Sequence, residues 1–235
     1  MEGLVFAITA SASGIGLGIA LEAAKQGAVV IVSSRNQAHV DSALELVRRH
    51  SPKSVGVVCH VGKAADRQRM VELALTTFGR IDALVLNAAS EAQVSKMWEI
   101  NYTATYRLAV EALPALRKSS SGSIVVLSSI SAYEPRETRM ISHYGATKAA
   151  LLHLTKQLAL ELPELKVNAV APGIIKTRFS EGLWKGREKE VEEASGVRLG
   201  EVEDVANVVL FLAHPKTTYI TGETIIVAGK PSPRL

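Results

Sequence analysis

Seven short apolar runs punctuate the chain. They occupy residues 4–9 (LVFAIT), 28–33 (AVVIVS), 55–60 (VGVVCH), 81–86 (IDALVL), 123–128 (SIVVLS), 166–171 (KVNAVA) and 224–228 (TIIVA). Each is almost continuous in Val, Ile, Leu and Ala rather than alternating with polar residues, the pattern of strands covered on both faces. Between them lie segments with helical spacing, among them LGIALEAAKQG, which closes on Gly27, a residue suited to a helix C-terminus. AADRQRMVELALTTFG and EDVANVVLFLA follow the same pattern, and longer helical patterns cover 95–118 and 142–162. Strand–helix alternation along the whole chain predicts the α/β class: a doubly wound, parallel, seven-stranded sheet in a single domain over residues 1–235. Right-handed crossovers then place ligand sites at the carboxyl ends of the strands. Residues 176–200 form a long polar excursion with scattered apolar side chains, expected to act as a substrate lid.

Composition narrows the function. Apolar residues make up 47% and charged residues 21%, which excludes a disordered chain. The net charge of +4 is scattered, with only short basic runs such as Arg48-Arg49 and Arg117-Lys118, so no nucleic-acid partner is expected. The excess suits an anionic small molecule. Cys59 is the only cysteine, so no intrachain disulfide can form; a reducing compartment is expected, with Cys59 as a buried structural thiol. There is no apolar stretch long enough to span a membrane and no basic leader before the first run, and no metal site is expected. The expected location is the cytoplasm, or an organelle that imports folded protein.

The first run leads into ITASASGIG (8–16), which opens a helix. Gly14 and Gly16 let the backbone approach a pyrophosphate, and the helix start offers free N–H groups and the positive end of a dipole. This strand–turn–helix context predicts a Rossmann-type dinucleotide site formed by Thr9, Ser11, Ser13, Gly14, Ile15 and Gly16. Ala10 occupies a position usually held by glycine, and the site is expected to work if Ala10 keeps a negative φ. After the second run, Ser34, Arg35 and Asn36 stand where a carboxylate would bind a ribose diol. Arg35 can instead pair with a 2′-phosphate, so NADP(H) is expected rather than NAD(H). Further along, YGATK puts Tyr144 and Lys148 on one helix face at i and i+4. Bringing a phenol from its usual pKa of about 10 to ~7 requires roughly 4 kcal/mol. An ammonium at ~4 Å supplies about that at an effective dielectric of ~20. The pair is therefore expected to act as an acid catalyst with an acidified phenol.

The chain resembles the short-chain dehydrogenase/reductase family along essentially its whole length. The matching motifs are TASASGIG (9–16), NAA (87–89), Asn101, SSIS (128–131), YGATK (144–148) and PGIIKT (172–177), with a similar tail from RLGEVEDVANVVLFLA onward. SSRNQ, CHVGKAADR and YITGE are similar to the NADPH-dependent carbonyl reductase/retinol dehydrogenase group, often peroxisomal. The resemblance implies that Tyr144 protonates a carbonyl oxygen, that Lys148 binds the nicotinamide ribose and acidifies Tyr144, and that a serine donates to the substrate oxygen. Ser129, at the strand end, is preferred to Ser131. Asn101 would hold a water linking Lys148 to solvent. His60, Val61, Asn87, Ala88, Ala89, Pro172, Gly173, Ile174, Ile175 and Thr177 would complete the cofactor site, although His60 stands where relatives carry an aspartate. Departures from the family pattern are Ala10, Leu86, Ala89 and a shortened stretch from Asn87 to Asn101. Either that loop is reduced, opening the pocket, or the sequence lacks part of it. The implied function is reversible NADP(H)-dependent reduction of ketones or aldehydes. A 3-oxoacyl-[acyl-carrier-protein] reductase and a catalytically weakened cofactor-binding scaffold are the alternatives. A homotetramer or dimer is implied, and the terminal PRL resembles a peroxisomal tripeptide.

Overall fold

The computed structural model describes residues 1–91, 93–133 and 142–229. Its seven strands are β1 (Val5–Ile8), β2 (Val29–Ser34), β3 (Val55–Val58), β4 (Ala83–Leu86), β5 (Ser123–Leu127), β6 (Lys166–Pro172) and β7 (Thr224–Val227). They form one all-parallel sheet in the order β3-β2-β1-β4-β5-β6-β7. β1 is flanked by β2 and β4, with Ile8 opposite Val32 on one side and Val85 on the other. The strand order reverses at β1, so the crevice beyond its carboxyl end is where a ligand would lie.

Continuous apolar runs are required because both faces are covered. Phe6 and Ile8 pack beneath α1 (Gly14–Lys25), α2 (Gln37–Arg48) and α10 (Val202–Ala213), while Val5 and Ala7 face the opposite layer. That opposite layer is built from α3 (Ala64–Phe78), α5 (Ala104–Glu111) and α7 (Ser142–Glu161). The predicted strands agree with the observed ones to within about two residues at either end.

The helical pattern at 95–118 is not one helix. α4 (Val94–Met97) passes through a π-helical stretch, Trp98–Thr103, before α5 begins, and α5 stops at Glu111. Pro114 cannot donate to the preceding turn and instead sits in the first turn of a new short helix, α6 (Leu113–Leu116). The excursion after β6 folds into α8 (Glu181–Trp184) and α9 (Glu188–Ser195). Ile175 forms an isolated bridge with Gly200, pinning the two ends of this excursion together. α10 starts with a capping box, in which Glu201 accepts from the third helical residue and Asp204 accepts from the Glu201 N–H. Among the described residues no helix is long and apolar enough to cross a membrane. The terminal PRL tripeptide lies outside the described residues.

Candidate active site

The phosphate turn is assembled from both neighbours of β1. The Thr9 hydroxyl accepts from the backbone N–H groups of Asn87 (2.8 Å) and Ala88 (3.0 Å), which locks the end of β4 to the end of β1. In return, Asn87 Nδ2 donates to the carbonyls of Thr9 (3.0 Å) and Ala10 (3.3 Å). Gly16 is obligatory here, since a β-carbon would lie 2.5 Å from Asn87 Nδ2 and 2.6 Å from the Ala10 carbonyl. Gly14 has φ +54°, and a β-carbon there would meet Thr177 at 3.5 Å, so the start of the lid abuts the turn. The Ser13 side chain does not cap α1, and its first turn carries no acidic residue. The leading N–H groups of α1 therefore face the cavity without a side-chain acceptor, an arrangement that fits a phosphate.

Two expectations about this turn change. Ala10 has φ +52°, the left-handed region, so the condition set for a strain-free alanine is not met. Ser11 is turned into the sheet: its hydroxyl donates to the Ile8 carbonyl (2.9 Å) and accepts from the Ser33 N–H (2.9 Å). Buried and fully committed, the Ser11 side chain joins β1 to β2 rather than reaching a phosphate.

The adenosine end lies past β2 and β3. Ser34 is half-buried and Arg35 exposed. The Asn36 carboxamide oxygen caps α2, accepting from Ala38 (2.8 Å) and His39 (3.4 Å), which leaves its NH2 for a ligand. His60 Nδ1 accepts from the Gly62 N–H at 3.2 Å, and the His60 N–H donates to Asp66 at 2.9 Å. That backbone bond, followed by the Arg69 guanidinium, holds the Asp66 carboxyl below its usual range. Beneath this loop Arg67, 1% exposed, pairs bidentately with Glu111 at 2.8 Å and donates to the Val61 carbonyl at 2.7 Å. Burial, and then the Asp66 carboxylate, pushes the Cys59 thiol up to about 11, an inert state.

The reacting end is a cavity of about 290 Å³ that brings together Ser129, Ser131, Tyr144 and Lys148 with Gly14, Asn87 and Ile174. The Ser129 hydroxyl lies near enough to the Tyr144 phenol to lower its pKa, and Ser129 Oγ lies 2.6 Å from Ser131 Oγ. The two serines are thus linked in a chain, with Ser129 next to the phenol. Lys148 is 2% exposed; its Nζ donates to the Leu127 carbonyl (2.7 Å) and lies 5.7 Å from the centre of the Tyr144 ring. One of its three N–H donors is occupied, and burial brings its pKa down to about 8. A buried ammonium with donors to spare fits the hydroxyls of a ribose.

The expected acid phenol is not found in the chain by itself. Burial raises the Tyr144 pKa, the Glu91 carboxylate raises it further, and the nearby Ser129 hydroxyl opposes them. Lys148 points at Leu127 instead of at the phenol oxygen, so desolvation outweighs its charge.

Asn101 is held by several hydrogen bonds of its own. It sits in the π-helical stretch, fully buried, and its Nδ2 donates to the Ser90 carbonyl (3.1 Å) and to Thr147 Oγ1 (3.0 Å). Its Oδ1 accepts from the Ser90 N–H at 2.8 Å, and its carbonyl accepts from Thr105 Oγ1 at 2.9 Å. Both amide hydrogens are spent, so a relay water would have to donate to the Asn101 oxygens. Its side chain clasps the loop onto α7, through Ser90 on one side and Thr147 on the other.

Pro172 and Gly173 end β6, where the Gly173 N–H donates to the Val227 carbonyl at 2.8 Å. A β-carbon on Gly173 would come within 3.0 Å of the Ala228 backbone. Ile174 and Thr177 line the cavity half-exposed, as does Ala89, and Ile175 lines it too while packing, buried, against the α1–α10 layer. Several lining residues escaped the sequence reading, Leu127, Ile130, Ser180 and Leu183 among them. Phe179, from the lid, packs against Tyr144 with ring centres 6.1 Å apart; Arg178 flanks it; and Glu91 enters from the shortened loop. The only signal for Glu91 was its place as the sole acid soon after NAA.

Comparison with known proteins agrees with this geometry. Residues 9–229 match the family described as Enoyl-(Acyl carrier protein) reductase. "Dehydrogenase/reductase SDR family member 4" from Homo sapiens is 43% identical over 244 residues, covering 97% of this chain and 87% of that protein. "Tropinone reductase-like 3" from Erythroxylum coca is 41% identical over 249 residues, covering 100% and 95%. That alignment is longer than the 235-residue chain, so the relative carries residues that this chain lacks, in keeping with the short Asn87–Asn101 stretch. The crystal structure of a "Short-chain dehydrogenase/reductase SDR:Glucose/ribitol dehydrogenase" from Brucella melitensis superposes with a TM-score of 0.89 at 33% identity, covering 97% of this chain and 96% of that one. On the strength of sheet order, motif placement and full-length similarity, the chain belongs to the short-chain dehydrogenase/reductase family of oxidoreductases.

Proposed function

We propose that the protein is an NADP(H)-dependent oxidoreductase that reduces ketones or aldehydes to alcohols and runs reversibly. The observation that carries this reading is the convergence of Tyr144, Ser129 and Lys148 on one cavity beside the uncapped start of α1. When bound, the dinucleotide supplies the hydride. Tyr144 holds the proton that a carbonyl oxygen takes up, and its raised pKa keeps the phenol protonated for that step. Ser129 donates to the same oxygen and stabilises the charge that grows on it. Lys148 binds ribose hydroxyls with its two spare donors, and Asn101 positions the Ser90 loop that closes the cavity floor. Ser13, Gly14, Ile15, Gly16 and Thr177 hold the phosphates, while Ser34, Arg35 and the Asn36 amide face the 2′-phosphate. Phe179 and the residues around α8 and α9 form a lid that excludes water.

Consumption of NADPH with a diketone or an aromatic ketone tests this. Wild type is expected to turn over, and Tyr144→Phe to lose at least about a hundredfold in kcat while still binding NADPH. Equal inertness of both proteins, with NADPH still bound, would establish the scaffold reading instead. The alternative is reduction of a 3-oxoacyl thioester, which shares with the family description only the acyl-carrier protein and not the enoyl double bond; strict dependence on acyl-carrier protein would identify it. Arg35→Asp is expected to swing the kcat/KM preference from NADPH toward NADH, because the phosphate loses its partner and meets a like charge. An unchanged cofactor ratio would remove Arg35 from the site. A homotetramer is part of the same proposal, supported by Trp98, Tyr106 and Leu160 standing exposed along the helices that cover one sheet face. The cytoplasm or the peroxisome is its proposed location.

A further inference from the structure

The shortened loop does more than close the cavity floor. It delivers Glu91 to the wall of the cavity that holds Tyr144, Ser129 and Lys148. Glu91 is the only acidic side chain among the described residues lining that cavity. It is exposed toward the open side, and no ion pair or hydrogen bond engages its carboxylate among the described residues. Its position is not accidental drift of a loop, because the Ser90 backbone immediately before it is fixed by two hydrogen bonds to buried Asn101.

Among the described residues the other charges lining the cavity are two cations. Lys148 is buried and bonded to the Leu127 carbonyl, and Arg178 is exposed on the lid, beside a Glu181 carboxyl that is held down chiefly by Lys185. Among the described residues Glu91 is thus the one anionic group on the cavity wall, and it makes no ion pair there; burial raises its carboxyl pKa and the Lys148 charge opposes that rise. Its field reaches the reacting end, since it raises the Tyr144 phenol and opposes the loss of the Lys148 proton. A ligand bound with its carbonyl at Tyr144 therefore shares the cavity with the Glu91 carboxylate, the group there that can pair with a cationic substituent.

We propose that Glu91 selects carbonyl substrates bearing a cation, a protonated or quaternary amine a few bonds from the carbonyl, by pairing with that charge across the cavity. This deepens the reading of Tyr144 as the carbonyl site and rests on it, but it can be tested by binding alone. The probes are a phenyl ketone with a dimethylammonium group two carbons beyond its carbonyl, and the neutral isostere with an isopropyl group in that place. Their affinities are measured by calorimetry at pH 7 on protein saturated with NADP⁺, so that no turnover is needed. Wild type is expected to bind the ammonium ketone roughly tenfold more tightly than the isostere, as an ion pair in a partly wet cavity allows. Glu91→Gln should bring the ratio to within about twofold, and Glu91→Lys should invert it. A ratio near one in wild type, or one that Glu91→Gln leaves unmoved, overturns the proposal. So does a Glu91→Gln effect confined to the relative affinities of NADP⁺ and NADPH, which would assign the carboxylate to the cofactor. If turnover and its dependence on Tyr144 fail while the ratio and its loss persist, the carbonyl-reductase reading falls and the cation site stands.

Discussion

Ala10 carries its β-carbon in a backbone conformation that crowds the following carbonyl, at a cost of about 1–2 kcal/mol. The conformation is imposed from outside the residue. The Ala10 carbonyl accepts from Asn87, and the Gly16 backbone packs against it from the other side. Because Ala10 is exposed at the cavity mouth, its methyl group gains little from packing. Ala10→Gly should therefore stabilise the fold by about 0.5–1 kcal/mol, after allowing for the greater freedom of glycine in the unfolded chain. The expected reading is a Tm rise of about 2 °C. A lower Tm would mean that the turn relaxes to a negative φ in solution. The sequence identified the substitution but not its cost, since φ at residue 10 is set by Asn87, seventy-seven positions away. Ser11 teaches the same lesson. Its place in the motif suggested a phosphate ligand, and only the pairing of β1 with β2 shows its hydroxyl occupied by Ile8 and Ser33.

Elements were legible where one local rule governs them. Apolar runs without alternation can be satisfied only by a sheet covered on both faces, so all seven strands and their parallel sense followed from the pattern. The i, i+4 spacing of Tyr144 and Lys148 put both side chains into one cavity, because α7 is unbroken through that stretch. Where two elements compete for one group, the pattern was silent. The π-helical turn at Trp98–Thr103 has no periodicity of its own, and it lets Asn101 reach both Ser90 and Thr147. The Asn87–Asn101 stretch is short against the family pattern, and its Ser90 backbone is held by Asn101 through contacts that no local pattern reveals. The lid illustrates the intermediate case. Polar composition marked residues 176–200 as an excursion, but Phe179 against Tyr144 and Ser180 under Trp184 emerge only from packing.

At the scale of the whole molecule, the reacting end works against the fold that carries it. Lys148 is almost completely removed from water with one hydrogen-bond acceptor, and no carboxylate lies within ion-pair distance of its ammonium among the described residues. Its pKa falls from 10.5 to about 8, a difference worth roughly 3 kcal/mol against folding whenever the group is charged. The unfolded chain binds the extra proton between pH 8 and 10.5, so this cost is fully present below about pH 8 and disappears as the pH rises toward 10.5. Cys59 and Tyr144 have raised pKa values and act in the opposite direction above about pH 9, but they do so equally with or without the lysine. The difference between two proteins isolates the lysine. Lys148→Met fills the same channel without the charge and leaves the Leu127 carbonyl unpaired, which returns about 1 kcal/mol of the gain. The variant should therefore be about 2 kcal/mol more stable than wild type at pH 7 in urea unfolding, and the gap should close steadily between pH 8 and 10.5. NADPH turnover should be lost in the same protein. A variant less stable than wild type at pH 7, or a gap that does not change with pH, would mean that Lys148 is neutral or solvated in the folded state, and the ammonium assigned to the ribose would not be there.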